Sequence, residues 1–258
     1  MKRLVLKVGS AVLTQDGKIA HKRLDNLVEL IVMLREKYEV ILVSSGAVAA
    51  GYTLLQLDKK LLKNKQALAS IGQPLLINTY STEFKKYDVR CSQVLLEASV
   101  FEDSKRLAHA KEAIDNLLYL GVVPIINEND VTAVEELVFG DNDQLAAYVT
   151  YYFEADLLTI LTDIDGYYDK NPKDFKDAKL IKYIYDIEQS TLQQKPSANS
   201  EFATGGIVTK LKAADFLLKK SKQMYLTSGF DLLFAKQYLL DNNHKNGTLF
   251  KVKGRWWE

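Results

Sequence analysis

The sequence predicts an α/β protein, a three-layer αβα sandwich with a central, mostly parallel sheet, and two observations carry that prediction. Short β-branched runs alternate with longer stretches of helical period along the whole chain. Val40-Ile41-Leu42-Val43 is apolar without interruption, as expected of a parallel strand covered on both faces.

The elements follow in order. Arg3 to Val8 reads as a strand, and Leu24, Leu27, Val28, Ile31 and Leu34 then recur at helical spacing with charge on the opposite face. After the Val40 strand, Ser44-Ser45-Gly46 and small residues to Gly51 suggest a closely packed helix start. A helical stretch from Lys60 to Tyr87 is expected to break at Gly72-Gln73-Pro74, because proline and glycine interrupt helices. Val89 to Leu96 is a strand, Ser104 to Leu120 a helix stopped by Gly121, and Val122 to Ile126 a further strand. A helix is expected from about Asp141 to Tyr152, a strand over Leu157 to Leu161, and turns at Asp165-Gly166 and Asn171-Pro172. Gly206 to Lys220 reads as a helix, Gln223 to Leu226 as a strand, Phe230 to Leu239 as a helix and Thr248 to Val252 as a closing strand. With no internal repeat or linker, residues 1–258 are expected to form one domain, with an acceptor-binding lobe over about 1–150 and a nucleotide-binding lobe over 151–258.

Composition excludes several function classes. The chain has 258 residues, 47% of them hydrophobic, enough for a sizeable core. Its 34 basic and 33 acidic residues leave a net charge of +1, so nothing electrostatic calls for nucleic acid or a membrane surface. Charged residues arrive too early for a signal peptide, and no apolar run approaches the roughly 20 residues of a membrane span. Cys91 is the only cysteine, which fits a reducing cytoplasm. His21, His109 and His244 show no metal-ligand spacing, and Asp163-Ile164-Asp165-Gly166 does not continue into a calcium-loop pattern.

In an open parallel sheet, ligands bind at the carboxyl ends of the strands, so the loops after strands are the informative places. Lys7-Val8-Gly9-Ser10 ends the first strand with a lysine, and Gly9 permits close approach to a phosphate. Taken alone, it reads first as an ordinary strand end with a solvated lysine. Ser44-Ser45-Gly46-Ala47 places a hydroxyl beside the free N–H groups of a helix start, suited to an anion or to simple capping. Asn127-Glu128-Asn129-Asp130 and Gly140-Asp141-Asn142-Asp143 form a polar set too dense to be turn filler. Thr204-Gly205-Gly206-Ile207-Val208-Thr209-Lys210 opens a helix with a glycine pair, hydroxyls and a lysine, a phosphate cradle or a plain hinge. It lacks Walker A spacing, and no G-x-G-x-x-G follows the first strand, which disfavours a dinucleotide-binding dehydrogenase.

In their order and spacing, these loops, together with Leu161-Thr162-Asp163, resemble those of the glutamate 5-kinases of the amino acid kinase superfamily, along essentially the whole chain. The resemblance implies the amino acid kinase fold and ATP-dependent phosphorylation of the side-chain carboxylate of glutamate, the first step of proline synthesis, with Mg2+ accompanying ATP. It implies Lys7, Lys210 and Asp143 as the catalytic set, with Asp143 holding the lysines in register, aided by Asp141. Glutamate would be bound by Ser45, Gly46, Asp130 and Asn142, with the Gly72-Gln73 loop nearby. Lys7, Gly9, Thr162, Asp163 and the run Thr204, Gly205, Gly206, Ile207, Val208, Thr209 and Lys210 would line the ATP site; no residue is assigned to the metal. It further implies a homo-oligomer inhibited by proline. The chain departs from the family pattern at Ser10-Ala11 and Ile207-Val208, where Thr-Ser and Met-Ser are frequent, and with the sequence ending at Glu258 the C-terminal PUA domain of many relatives is not expected. A sister kinase acting on acetylglutamate or another small acid, or a nucleotide-binding protein without turnover, are the alternatives.

Overall fold

The computed structural model describes residues 1–132, 142–172, 174–193 and 206–253. Gly140, Asp141, Thr204 and Gly205 of the quoted motifs, and the C-terminal residues to Glu258, lie outside the described residues. From the N-terminus the chain forms β1 (Lys2–Val8), α1 (Ser10–Leu13), β2 (Thr14–Gln15), β3 (Lys18–Ile19), α2 (His21–Leu34), β4 (Tyr38–Ser44) and α3 (Ala47–Leu55). It continues through α4 (Leu62–Lys85), β5 (Cys91–Leu96), α5 (Ser99–Glu102), α6 (Ser104–Tyr119), β6 (Val123–Glu128), α7 (Asn142–Tyr152) and β7 (Leu157–Thr162). Then come β8 (Tyr183–Ile184), α8 (Gln189–Leu192), α9 (Gly206–Lys219), β9 (Gln223–Ser228), α10 (Leu233–Asp241) and β10 (Thr248–Phe250). Eight strands make one sheet in the order β5-β6-β4-β1-β7-β9-β10-β8. Every neighbouring pair is parallel except β10 with β9.

Side-chain alternation along the strands divides the core into two layers. On β1, Leu4, Leu6 and Val8 pack with Leu24, Leu27 and Ile31 of α2 and with Leu76 and Tyr80 of α4. Val5 faces the other way, joining Ile41, Val43 and the α7 and α9 residues Leu145, Val149, Leu211 and Ala214. This is the αβα sandwich that the alternation predicts. Lys7 has the parity of Val5, so its side chain leaves the sheet towards α7. That parity decides the site.

Two expectations require correction. α4 is one unbroken helix with Pro74 inside it. A Cβ on Gly72 would lie 1.8 Å from the Ala47 carbonyl oxygen, and one on Gly51 would lie 1.9 Å from that of Leu68. The two glycines therefore let the α3 and α4 backbones touch. That contact, with Leu68, Leu76, Tyr80 and Phe84 buried from the same helix, offsets the roughly 3 kcal/mol that an interior proline costs. Gln73 accordingly sits on a helix and not in a loop. α10 starts at Leu233, not Phe230, because Ser228 Oγ accepts the N–H groups of Phe230 and Asp231 (3.1 and 3.3 Å) and fixes a turn first. The β2–β3 hairpin was not predicted, although its turn, Asp16 at φ 50° and Gly17 at φ 71°, is a favoured hairpin dipeptide. Gly121 does end α6 as expected: at φ 71° it lets Val122 N–H reach back to the Leu117 carbonyl at 2.9 Å.

Candidate active site

Because β4, β1, β7 and β9 run parallel, the loops that follow them emerge at one edge. Backbone bonds fasten those loops to neighbouring strands. Gly9 N–H donates to Leu161 O (3.1 Å), Ser45 N–H to Val8 O (3.2 Å) and Gly229 N–H to Thr162 O (2.7 Å). The Lys7, Ser45 and Thr162 segments, far apart in the chain, are thereby side by side.

Asp143, the second residue of α7, is the centre. It is fully buried, and its carboxylate receives Lys7 Nζ at 2.5 Å on one oxygen and Lys210 Nζ at 3.1 Å on the other. Burial pushes this carboxyl up, but the Lys7 and Lys210 ammonium groups outweigh it and hold the group below the usual carboxylate range. Its place in the first turn of α7 adds the helix dipole in the same sense. Lys210 also donates to Gly206 O (2.9 Å), folding back over the start of its own helix. Thr209 Oγ1 donates to Asp143 at 3.0 Å, and Gln144 Nε2 holds the Thr209 carbonyl at 3.1 Å. Both ammonium groups are nearly excluded from water, the lysines being only 3% and 6% exposed. Such a desolvated cation pair suits a polyphosphate.

A polar relay runs beside this triad. Asn142 Nδ2 donates to Ser45 Oγ and to Asn127 Oδ1, both at 2.8 Å. Asn127 Nδ2 donates to Gln73 Oε1 at 2.9 Å. Asn142 Oδ1 is buried with no hydrogen-bond partner among the described residues, an acceptor left over beside the triad. Gln73 then lines a cavity of about 280 Å³ with Gln93, Glu128 and Asp130. Burial pushes the Asp130 carboxyl up, and Lys65 partly opposes it. Ser45 and Asn142 thus meet directly, whereas Asp130 reaches them only through the cavity and the Gln73–Asn127 relay. The motif pattern alone assigns Asn127 no role; as the last residue but one of β6, it has an inward direction that follows from strand parity.

The other expected residues among those described lie at strand ends, in loops after strands or at helix starts. Gly46 takes φ +112° ahead of α3, a conformation that favours glycine. Thr162 is buried and donates to the exposed Asp163 at 2.9 Å. Gly206, Ile207 and Val208 form the first turn of α9; Thr204 and Gly205 before them lie outside the described residues. Ser10 opens the α1 turn just after Gly9.

The sequence profile of the amino acid kinase family matches residues 2–228. Glutamate 5-kinase of Leishmania donovani is 51% identical over 97% of this chain and 95% of its own. Glutamate 5-kinase of Wolinella succinogenes is 51% identical over 98% of this chain and 99% of its own. The chain belongs to the amino acid kinase family, among its glutamate 5-kinases. Solved structures of more distant kinases share the fold. Isopentenyl phosphate kinase of T. acidophilum superposes with a TM-score of 0.65 at 17% identity over 96% of this chain and 100% of its own. Carbamate kinase from Giardia lamblia gives 0.68 at 18% identity over 98% and 99%. In this kinase, Lys7, Asp143 and Lys210 come from three different elements and still form one contact set.

Proposed function

We propose that this kinase transfers the γ-phosphoryl group of ATP to the side-chain carboxylate of glutamate, the opening step of proline synthesis. The observation that carries the proposal is the convergence of Lys7 and Lys210 on Asp143, next to the Ser45–Asn142 pair. A side-chain carboxylate, with a reference pKa of about 4.3, is ionised at neutral pH and needs no general base. One of its oxygens attacks the γ-phosphorus, the bond to the β–γ bridging oxygen breaks, and ADP leaves with that electron pair; no proton moves. The difficulty is bringing one anion to another. Catalysis then rests on positioning and on cations aimed at the developing charge, which Lys7 and Lys210 supply while Asp143 fixes their separation.

On the acceptor side, the amide oxygen of Asn142, without a partner among the described residues, and the Asp130 carboxylate suit a free α-ammonium group, which acetylglutamate lacks. The nucleotide side is proposed to comprise Gly9, Thr162, Asp163 and the start of α9. Among the described residues no three His, Cys, Asp or Glu side chains gather as a metal site. Mg2+ would accompany the nucleotide as part of the substrate and would supply charge neutralisation at its phosphates. The acceptor residues all precede residue 150 and most nucleotide residues follow it, which supports one two-lobed unit over residues 1–258. Among the described residues no helix is long and apolar enough to cross a membrane; a cytoplasmic setting, proline inhibition and self-association belong to the same proposal and rest on the family. ADP release measured across glutamate, acetylglutamate and aspartate tests the reading. Turnover is expected with glutamate; a preference for acetylglutamate would overturn it.

A further inference from the structure

Asp130 owes its position to a turn that one distant carboxylate spans. Asn129 to Thr132 is a tight turn, with Thr132 N–H donating to Asn129 O at 3.1 Å and Asp130 at its second position. Asn129 N–H is tied to Leu96 O at 3.0 Å, so the turn hangs from the end of β5. The next residue, Glu97, is half-buried, and its Oε1 accepts from both ends of the turn: Asn129 Nδ2 at 3.2 Å and the Thr132 hydroxyl. Gln66 Nε2 holds the middle through Val131 O at 2.8 Å. Glu97 is not among the residues lining the Asp130 cavity, whereas Asp130, Asn129 and Val131 are.

We propose that Glu97 is a positioning residue for the amino-acid acceptor: its carboxylate oxygen clasps both ends of the Asn129–Thr132 turn and so aims Asp130 into the cavity shared with Gln73 and Gln93. The inference rests on the acceptor site proposed above. It makes acceptor binding, and not nucleotide binding, depend on Glu97. Freed from the clasp, the turn samples orientations in which Asp130 misses the substrate, and only the competent fraction binds.

The test compares the full-length chain with Glu97→Ala, Glu97→Gln and Glu97→Asp, in initial rates with each substrate varied and in amide hydrogen exchange at residues 129–132. Losing two hydrogen bonds to a charged acceptor is expected to raise the glutamate KM about ten-fold in Glu97→Ala, with the ATP KM within about two-fold. Exchange in the turn should quicken in parallel. Glu97→Gln keeps an oxygen that can accept both bonds and should restore the glutamate KM to within about two-fold. Glu97→Asp keeps the charge but loses reach, and should behave like Glu97→Ala. A glutamine variant as impaired as the alanine one would mean that the charge itself acts on the substrate, and would overturn the assignment. So would equal rises in both KM values, a normal aspartate variant, or a lowered Tm with both KM values unchanged. If the wild-type chain transferred nothing to glutamate, the proposed activity would fail, and the exchange comparison would still decide the clasp.

Discussion

Lys7 and Lys210 show how much of this kinase depends on single side chains. They approach one carboxylate from opposite ends of the sequence, each nearly excluded from water. Under the proposed mechanism either ammonium group would act where charge develops and in a low-dielectric setting, so its removal should lower kcat far more than it alters either KM. Lys210→Ala is expected to lose about 10²–10³-fold in kcat and to keep the wild-type far-UV spectrum; a folded variant with near-normal turnover would contradict the phosphate role. Asp130 is proposed to serve the other substrate. Asp130→Ala is expected to raise the glutamate KM by roughly ten-fold or more, the usual cost of deleting a charged hydrogen-bond acceptor, and to leave the ATP KM almost unchanged. Parallel rises in the two constants would remove Asp130 from the acceptor site.

At the scale of elements, the α3–α4 contact carries the acceptor side. α3 begins beside Ser45 and Gly46, and α4 brings Gln73 to the Asn127 relay. The two helices touch through glycines because a Cβ at Gly72 or Gly51 would stand within 2 Å of a carbonyl oxygen. Gly72→Val should force the helices apart, lower stability by about 1–3 kcal/mol and raise the glutamate KM through displacement of Gln73. Denaturant unfolding and initial rates would read both effects; unchanged stability would show that the helices have room the geometry denies. The same contact explains why Gly72-Gln73-Pro74, which reads locally as a helix break, stays helical.

At the scale of the whole molecule, the parallel sheet separates structure from chemistry. At the amino ends of the strands Arg3 binds Glu39 at 2.9 Å, Asp115 at 2.8 Å and the Phe153 carbonyl at 2.6 Å. At the carboxyl ends the same strand delivers Lys7 to Asp143. Asp143 also links the site to global stability through pH. Its folded pKa lies below the ordinary value of 3.8, so between the two the unfolded chain binds a proton that the folded one does not. Its stabilising contribution is therefore complete above pH 3.8 and is lost as pH falls through the folded value. Asp143→Asn should be less stable at neutral pH, because two buried ammonium groups lose their partner, and should show a shallower loss of stability below about pH 4. An acid-unfolding profile identical to that of wild type would refute the linkage.

The sequence by itself determined the alternation of strands and helices, the parallel character of the sheet and the set of loops that carry the site. These follow from local signals: side-chain period, glycine and proline punctuation, and polar residues at strand ends. Lys7 was readable for the same reason, since its position at a strand end and its parity with Val5 are properties of one segment. The tertiary structure alone decided what depends on which segments adjoin. Asn127 bridges Gln73 and Asn142, Glu97 clasps the turn holding Asp130, and Lys210 meets Asp143, 67 residues away in the chain. Pro74 stays inside a helix because α3 happens to lie against it. Hydrogen bonds and helix contacts act over a few ångströms in space, and a linear pattern carries no measure of that distance until the sheet has set which strands are neighbours.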